Sequence, residues 1–137
     1  MTRVLLAGAF DFLHPGHLDL FRQAKSLGPE LIVVVARDSS VERIKGKKPL
    51  FSEIERLQVV SSVKYVDQAV LGSRTDFMDV LLEFNPDVLL LGYDQAMDEE
   101  SVSQYVRDHD LKTHVLRAKA YKPHQFKSSK IKDLLGV

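Results

Sequence analysis

Three observations predict a Rossmann-like α/β fold, a doubly wound parallel sheet of about five strands. Runs rich in Val, Leu and Ile recur without polar alternation, as in strands covered on both faces. Segments with apolar residues at helical spacing separate those runs. The boundaries between the two carry prolines, glycines and capping residues where such a chain has to turn.

The elements follow in order. "VLLAG" at 4–8 is the first strand, and a helix begins at Pro15, whose missing N–H costs nothing in a first turn. Leu18, Leu20, Phe21 and Ala24 give that helix its inner face, and Gly28 ends it. "LIVVVA" at 31–36 is the second strand. Residues 37–50 are the longest stretch without apolar periodicity and are expected to form a loop, a length at which loops are often functional. Ser52 and Glu55 have capping-box spacing and open a helix with Ile54, Leu57, Val60 and Val63 inward. "QAVLG" at 68–72 is the third strand. Phe77, Val80, Leu81 and Phe84 mark a helix that Asn85-Pro86 closes before the fourth strand, "DVLLLGY" at 87–93. The acidic run at 98–100 suits the N-terminus of a helix carrying Val102, Tyr105 and Val106. "THVLR" at 113–117 is the fifth strand, and "KSSKIKDLL" at 127–135 reads as a serine-capped amphipathic helix with Ile131, Leu134 and Leu135 inward.

A chain of 137 residues, 45% hydrophobic, is the size of one domain, expected to span 1–137. Nineteen basic residues balance nineteen acidic ones, so no global field holds nucleic acid, and any anion must be recognised locally. No cysteine is present, which removes thiolate metal sites and a cysteine nucleophile and fits a cytoplasmic protein. The opening "MTRVLLAGA" is too short for a secretory signal, which needs roughly 15 to 30 residues. No apolar run approaches the roughly 18 residues of a membrane span.

The chemistry concentrates in "GAFDFLHPGH" at 8–17, the first strand-to-helix turn. Ligands of open parallel sheets bind beyond the carboxyl ends of the strands, and the following helix points its first N–H groups at them. Gly8 lets the backbone bend and Gly16 allows close approach, an arrangement that favours phosphate. His14 and His17, one helical turn apart, would face the same phosphate as imidazolium ions donating from both nitrogens. Other readings compete. His14 could cap the helix with His17 a partly buried, satisfied histidine. Asp11, His14 and His17 could hold a metal, although the H-E-x-x-H pattern is absent. A dinucleotide-binding turn fails, because Gly8 is not followed by G-x-x-G and Phe10 with Asp11 would crowd a pyrophosphate. Asp11 itself reads as a carboxylate that stabilises the turn.

This turn resembles the G-T-F-D-x-x-H-x-G-H signature of the cytidylyltransferase-like nucleotidyltransferases, relatives of the class I aminoacyl-tRNA synthetases. "VVVARD", "KGKKPLFSEIERLQVV", "VDQAVLG", "LLLGYDQ" and "KSSKIKDLL" look like the archaeal FAD synthase branch, in the same order over nearly the full length. The resemblance implies transfer of AMP from ATP, with Mg²⁺, to the phosphate of FMN. It further implies that Ala9, Phe10, His14, Pro15, Gly16 and His17 hold ATP, with His14 and His17 donating to the α- and β-phosphates. Asp94 and Tyr121 match nucleotide-contacting positions. Ser128, Ser129 and Lys130 match a synthetase-like element that closes on the β- and γ-phosphates, Lys130 counting with the two histidines as catalytic. Related enzymes are commonly dimers, so the resemblance allows a homodimer while the sequence leaves oligomeric state open, and no membrane or nucleic-acid partner is expected. Ala9 stands where the family usually has Thr, which removes a hydroxyl contact, and Lys127 and Ser128 replace Arg and Thr.

"RIKGKKP" at 43–49 reads alone as a solvated basic loop; with the family in view, Lys45 or Lys47 reaches a substrate phosphate. His109, His114 and His124 lack paired spacing and read as structural or surface groups. Two alternatives stay open. One is a cytidylyltransferase acting on glycerol 3-phosphate or a similar phosphorylated alcohol; the other is a module that binds a nucleotide without turnover. The sequence leaves open which of Phe51, Tyr65, Tyr93 or Tyr121 would stack on a flavin ring.

Overall fold

Each apolar run is a strand in the computed structural model, which describes residues 2–121. The strands are β1 (Arg3–Gly8), β2 (Glu30–Val35), β3 (Gln68–Leu71), β4 (Val88–Leu91) and β5 (His114–Arg117). They form one parallel sheet in the order β3-β2-β1-β4-β5. The helices between them are α1 (Pro15–Leu27), α2 (Asp38–Lys45), α3 (Glu53–Ser61), α4 (Asp79–Phe84) and α5 (Glu99–Asp108).

The continuous apolar runs are explained by two separate cores. Val4, Leu6, Leu31, Val33 and Val35 face Phe21 and Ala24 of α1 and Val60 of α3. Leu5, Ile32, Val34, Leu89 and Leu91 face Val80 and Leu81 of α4 and Val102 and Val106 of α5. Successive strand residues point to opposite faces, and both faces are covered inside the central strands β1, β2 and β4, which leaves polar residues to strand ends and to the edge strands β3 and β5. Because the chain winds one way from β1 and the other way from β4, a crevice opens between the carboxyl ends of these neighbouring strands.

The expected boundaries hold. Ser52 Oγ accepts from the Glu55 N–H at 3.2 Å while Glu55 Oε1 accepts from the Ser52 N–H at 3.0 Å. Asn85 takes the left-handed conformation that closes α4, and Asp98 caps α5 by accepting from the Glu100 N–H.

Two expectations are corrected. The stretch 37–50 is not all loop: Asp38–Lys45 is α2, ended by Gly46 in the left-handed region at φ 79°. It buries only Val41, and Ile44 stays 75% exposed, so there was no apolar stripe to read. On α3, Ile54 is 53% exposed, and the fully buried inward positions are Arg56 and Val60. An arginine outside the expected inward set therefore occupies a place in the core.

Candidate active site

The β1–α1 turn brings the two histidines together by using them as reciprocal caps. His14 is the N-cap of α1, with extended backbone, and its Nδ1 accepts from the Gly16 N–H at 3.1 Å. The His14 N–H in turn donates to His17 Nδ1 at 3.3 Å. The rings lie 4.0 Å apart, centroid to centroid. Pro15 occupies the first helical position, where it has no N–H to leave unmet. The capping reading and the phosphate reading therefore describe different atoms of the same rings.

The caps favour neutral rings in the protein itself, whereas the imidazolium expectation concerns a bound phosphate. A nitrogen that accepts a hydrogen bond carries no proton, so in each ring the proton resides on Nε2. Burial lowers the His14 pKa. Burial, then the neighbouring His14 and the charge of Lys45, push His17 down to about 3, with only a hydrogen bond to the Phe12 backbone pulling the other way. Both shifts favour the neutral ring at pH 7, with the proton on Nε2.

Beneath the histidines, Phe10 turns its ring into the core rather than outward. It is 6% exposed, meets His17 edge-on with centroids 5.5 Å apart, and packs 5.4 Å from Phe21. A Cβ on Gly8 would stand 2.8 Å from the Phe10 ring, so the glycine is required for close approach. Phe10 also adopts a left-handed backbone at φ 51°, a conformation rare for a bulky residue. Asp11, 5% exposed, accepts from the Leu50 N–H at 2.6 Å and the Phe51 N–H at 2.8 Å. It stabilises the turn, as expected. With both side chains folded inward, neither crowds a phosphate at this turn.

Of the other predicted residues, Lys45 ends α2, and its charge is felt at His17, which brings the basic stretch to the histidines. Lys47 is exposed on the loop that follows. Asp94 is exposed on the loop between β4 and α5. That loop is tied to the β1 end by Gln95, whose Oε1 accepts from the Gly92 N–H at 3.0 Å and whose Nε2 donates to the Ala7 carbonyl at 3.4 Å. Arg117 holds the same loop by donating to the carbonyls of Gly92, Gln95 and Met97. Tyr121 lines a groove beside α1 with Asp19, Arg22 and Leu116. Ser128, Ser129 and Lys130 lie outside the described residues, as does His124. Of the candidate stacking rings, Tyr65 packs against the core, whereas Phe51 and Tyr93 are exposed.

The sequence reading missed Arg56, Gln95 and Arg117. Gln95 lies within "LLLGYDQ" with no local signal of its role, and Arg56 lies between the expected inward positions of α3.

The family model described as cytidylyltransferase-like matches residues 5–134, nearly the whole chain. The chain belongs to the cytidylyltransferase-like family. A protein named FAD synthase from Aciduliprofundum boonei is 47% identical over 121 residues, 88% of this chain and 80% of that one. A FAD synthase from Thermoplasma acidophilum is 41% identical over 140 aligned positions, 99% of this chain and 98% of that one. Among solved structures, a protein described as a lipopolysaccharide core biosynthesis protein from Thermoplasma volcanium superposes with a TM-score of 0.84. It is 42% identical and covers 89% of this chain and 99% of its own.

Proposed function

We propose that this protein is an FMN adenylyltransferase, joining AMP from ATP to the phosphate of FMN to give FAD and pyrophosphate. The observation that carries this reading is the identity of 41–47% to FAD synthases across at least 88% of the chain. The site chemistry agrees with it. An oxygen of the FMN phosphate attacks the α-phosphorus of MgATP in line, forming a P–O bond as the bond to the β-phosphate oxygen breaks, and pyrophosphate leaves. The attacking phosphate is already ionised, so no side chain has to remove a proton.

Such a transfer depends on positioning and on stabilising charge spread over the phosphoryl oxygens. In this reading the Nε2–H groups of His14 and His17 donate to the α- and β-phosphates, and the backbone of Ala9, Phe10 and Gly16 lines the same turn beside Pro15. Lys45 approaches from the end of α2 and Lys47 from the loop after it, Asp94 and Tyr121 contact the nucleoside, and Ser128, Ser129 and Lys130 close over the β- and γ-phosphates. Mg²⁺ enters as part of the nucleotide. Phe51, Tyr93 and Tyr121 are the rings on which the flavin would stack.

The same reading takes the protein as a cytoplasmic homodimer. A cluster of exposed apolar residues at the start and outer side of α3, namely Leu50, Phe51, Ile54 and Val59, supports the dimer, and sedimentation of the purified chain tests it. The test of function is a matched turnover assay with ATP or CTP against FMN or glycerol 3-phosphate, following pyrophosphate and the nucleotide product. FAD from ATP and FMN alone supports the reading. CDP-glycerol moves the protein to the cytidylyltransferase alternative, and ATP binding without pyrophosphate points to a non-catalytic module.

A further inference from the structure

Arg56 stands out among the described residues because its side chain is fully buried yet charged. Its Nε donates to the Phe51 carbonyl at 3.0 Å, Nη1 to the Ala9 carbonyl at 2.7 Å, and Nη2 to Asp38 Oδ1 at 2.7 Å. One planar group therefore joins three segments: the β1–α1 turn, the approach to α3 and the first turn of α2. Arg56 is buried while its partner Asp38 keeps 41% of its side chain exposed. A charge taken into the core is a poor device for stability alone, since a well-packed apolar side chain does as well or better in its place. What the guanidinium supplies instead is directional geometry, because its donors form a rigid fork.

That geometry bears on the nucleotide through two routes. The Ala9–Phe10 peptide is trans, so with the Ala9 carbonyl turned to Arg56 the Phe10 N–H points the opposite way, away from the guanidinium. The contact thus sets the direction of a backbone donor in the phosphate-binding turn and helps hold Phe10 in its left-handed conformation. By the second route, Asp38 begins α2 and Lys45 ends it, so gripping Asp38 orients the helix that carries the lysine toward His17.

We propose that Arg56 is a positioning residue for nucleotide binding, fixing the Ala9–Phe10 peptide and α2 relative to His14 and His17 without touching substrate. The inference rests on the adenylyltransferase reading for its effect on turnover, but not for its effect on ATP binding. The test compares the wild-type protein with Arg56→Lys and Asp38→Asn by calorimetric titration with MgATP, steady-state FAD formation and thermal unfolding.

Arg56→Lys keeps the charge and loses the fork. It is expected to fold, to bind ATP about tenfold more weakly and to lose about 100-fold in kcat, with the KM for FMN nearly unchanged. Asp38→Asn, which weakens only one arm, shifts the same quantities by less. The proposal is overturned if folded Arg56→Lys binds ATP and turns over as the wild type does. It is equally overturned if its losses disappear when assayed well below its melting temperature, since the role is then structural. Should Arg56→Lys not fold, unchanged ATP affinity in Asp38→Asn overturns it and weakened affinity supports it. A wild-type protein that binds ATP but makes no FAD removes the proposed reaction while the ATP affinities still decide the role of Arg56.

Discussion

The two uses of His14 can be separated by substitution. Its Nδ1 accepts the Gly16 N–H and caps α1, while its Nε2–H is the group that the proposed function sets against a phosphate. Alanine removes both functions. Asparagine removes one, because its side-chain oxygen is among the best N-caps but it has no group at the far edge of the ring. His14→Ala is therefore expected to cost about 1 kcal/mol of stability, which for a chain of this size lowers the melting temperature by about 3 to 5 °C. His14→Asn should melt within about 1 °C of the wild type, because exchanging one good cap for another costs only tenths of a kcal/mol. In turnover the two should be alike. Loss of one pre-organised donor to the developing charge costs about 100- to 1000-fold in kcat, or roughly 2.7 to 4 kcal/mol of barrier. Differential scanning fluorimetry and a pyrophosphate-release assay on the same preparations read both quantities. An Asn variant with near-normal kcat would refute the donor role and leave His14 as a helix cap. An Asn variant as unstable as the Ala variant would refute the capping argument.

Other consequences are checked by comparably simple measurements. Gly8→Ala drives a methyl group to within 2.8 Å of the Phe10 ring; overpacking of this kind costs about 1 to 3 kcal/mol, read from urea unfolding, and Phe10→Leu in the same chain should recover part of it. Asp11→Ala strands two backbone N–H groups, of Leu50 and Phe51, and should destabilise by about 2 to 4 kcal/mol in the same experiment. Stability should also fall on acidification. His17 stays neutral in the native protein down to about pH 3, whereas in the unfolded chain it takes up a proton below about 6.5. Between these values the unfolded state binds more protons, so stability rises with pH across the window and is complete above it. A melting temperature flat from pH 6.5 down to 4 would contradict the buried, neutral histidine.

What was legible in the sequence was whatever local pattern determines. Strands buried on both faces have no alternation to hide, and the capping chemistry of Ser52, Asn85 and Asp98 acts within a few residues, so these features could be read directly. The helix α2 could not, because a helix that buries only Val41 carries no periodic signal. Its evidence lay in end effects, Asp38 in the first turn, Arg43 and Lys45 in the last and Gly46 beyond, which are individually weak.

The site divides along the same line. Residue types and spacing at 14–17 marked this turn as the candidate site, because one helical turn puts both imidazoles on one side. Their charge state was not legible, since it depends on burial and on Lys45, which lies 28 residues away in the chain. Arg56 is the sharper case. The inward positions expected on α3 pass it by, and the residue type assigns it to solvent. Its burial requires acceptors that the chain brings to that point from elsewhere, here Ala9, Phe51 and Asp38. Two of those acceptors are backbone carbonyls, which any sequence possesses, so the partners leave no trace at their own positions. The arginine itself was the only legible mark of the network, and its presence on the buried face of α3 is best explained by the turn it holds rather than by the helix it belongs to.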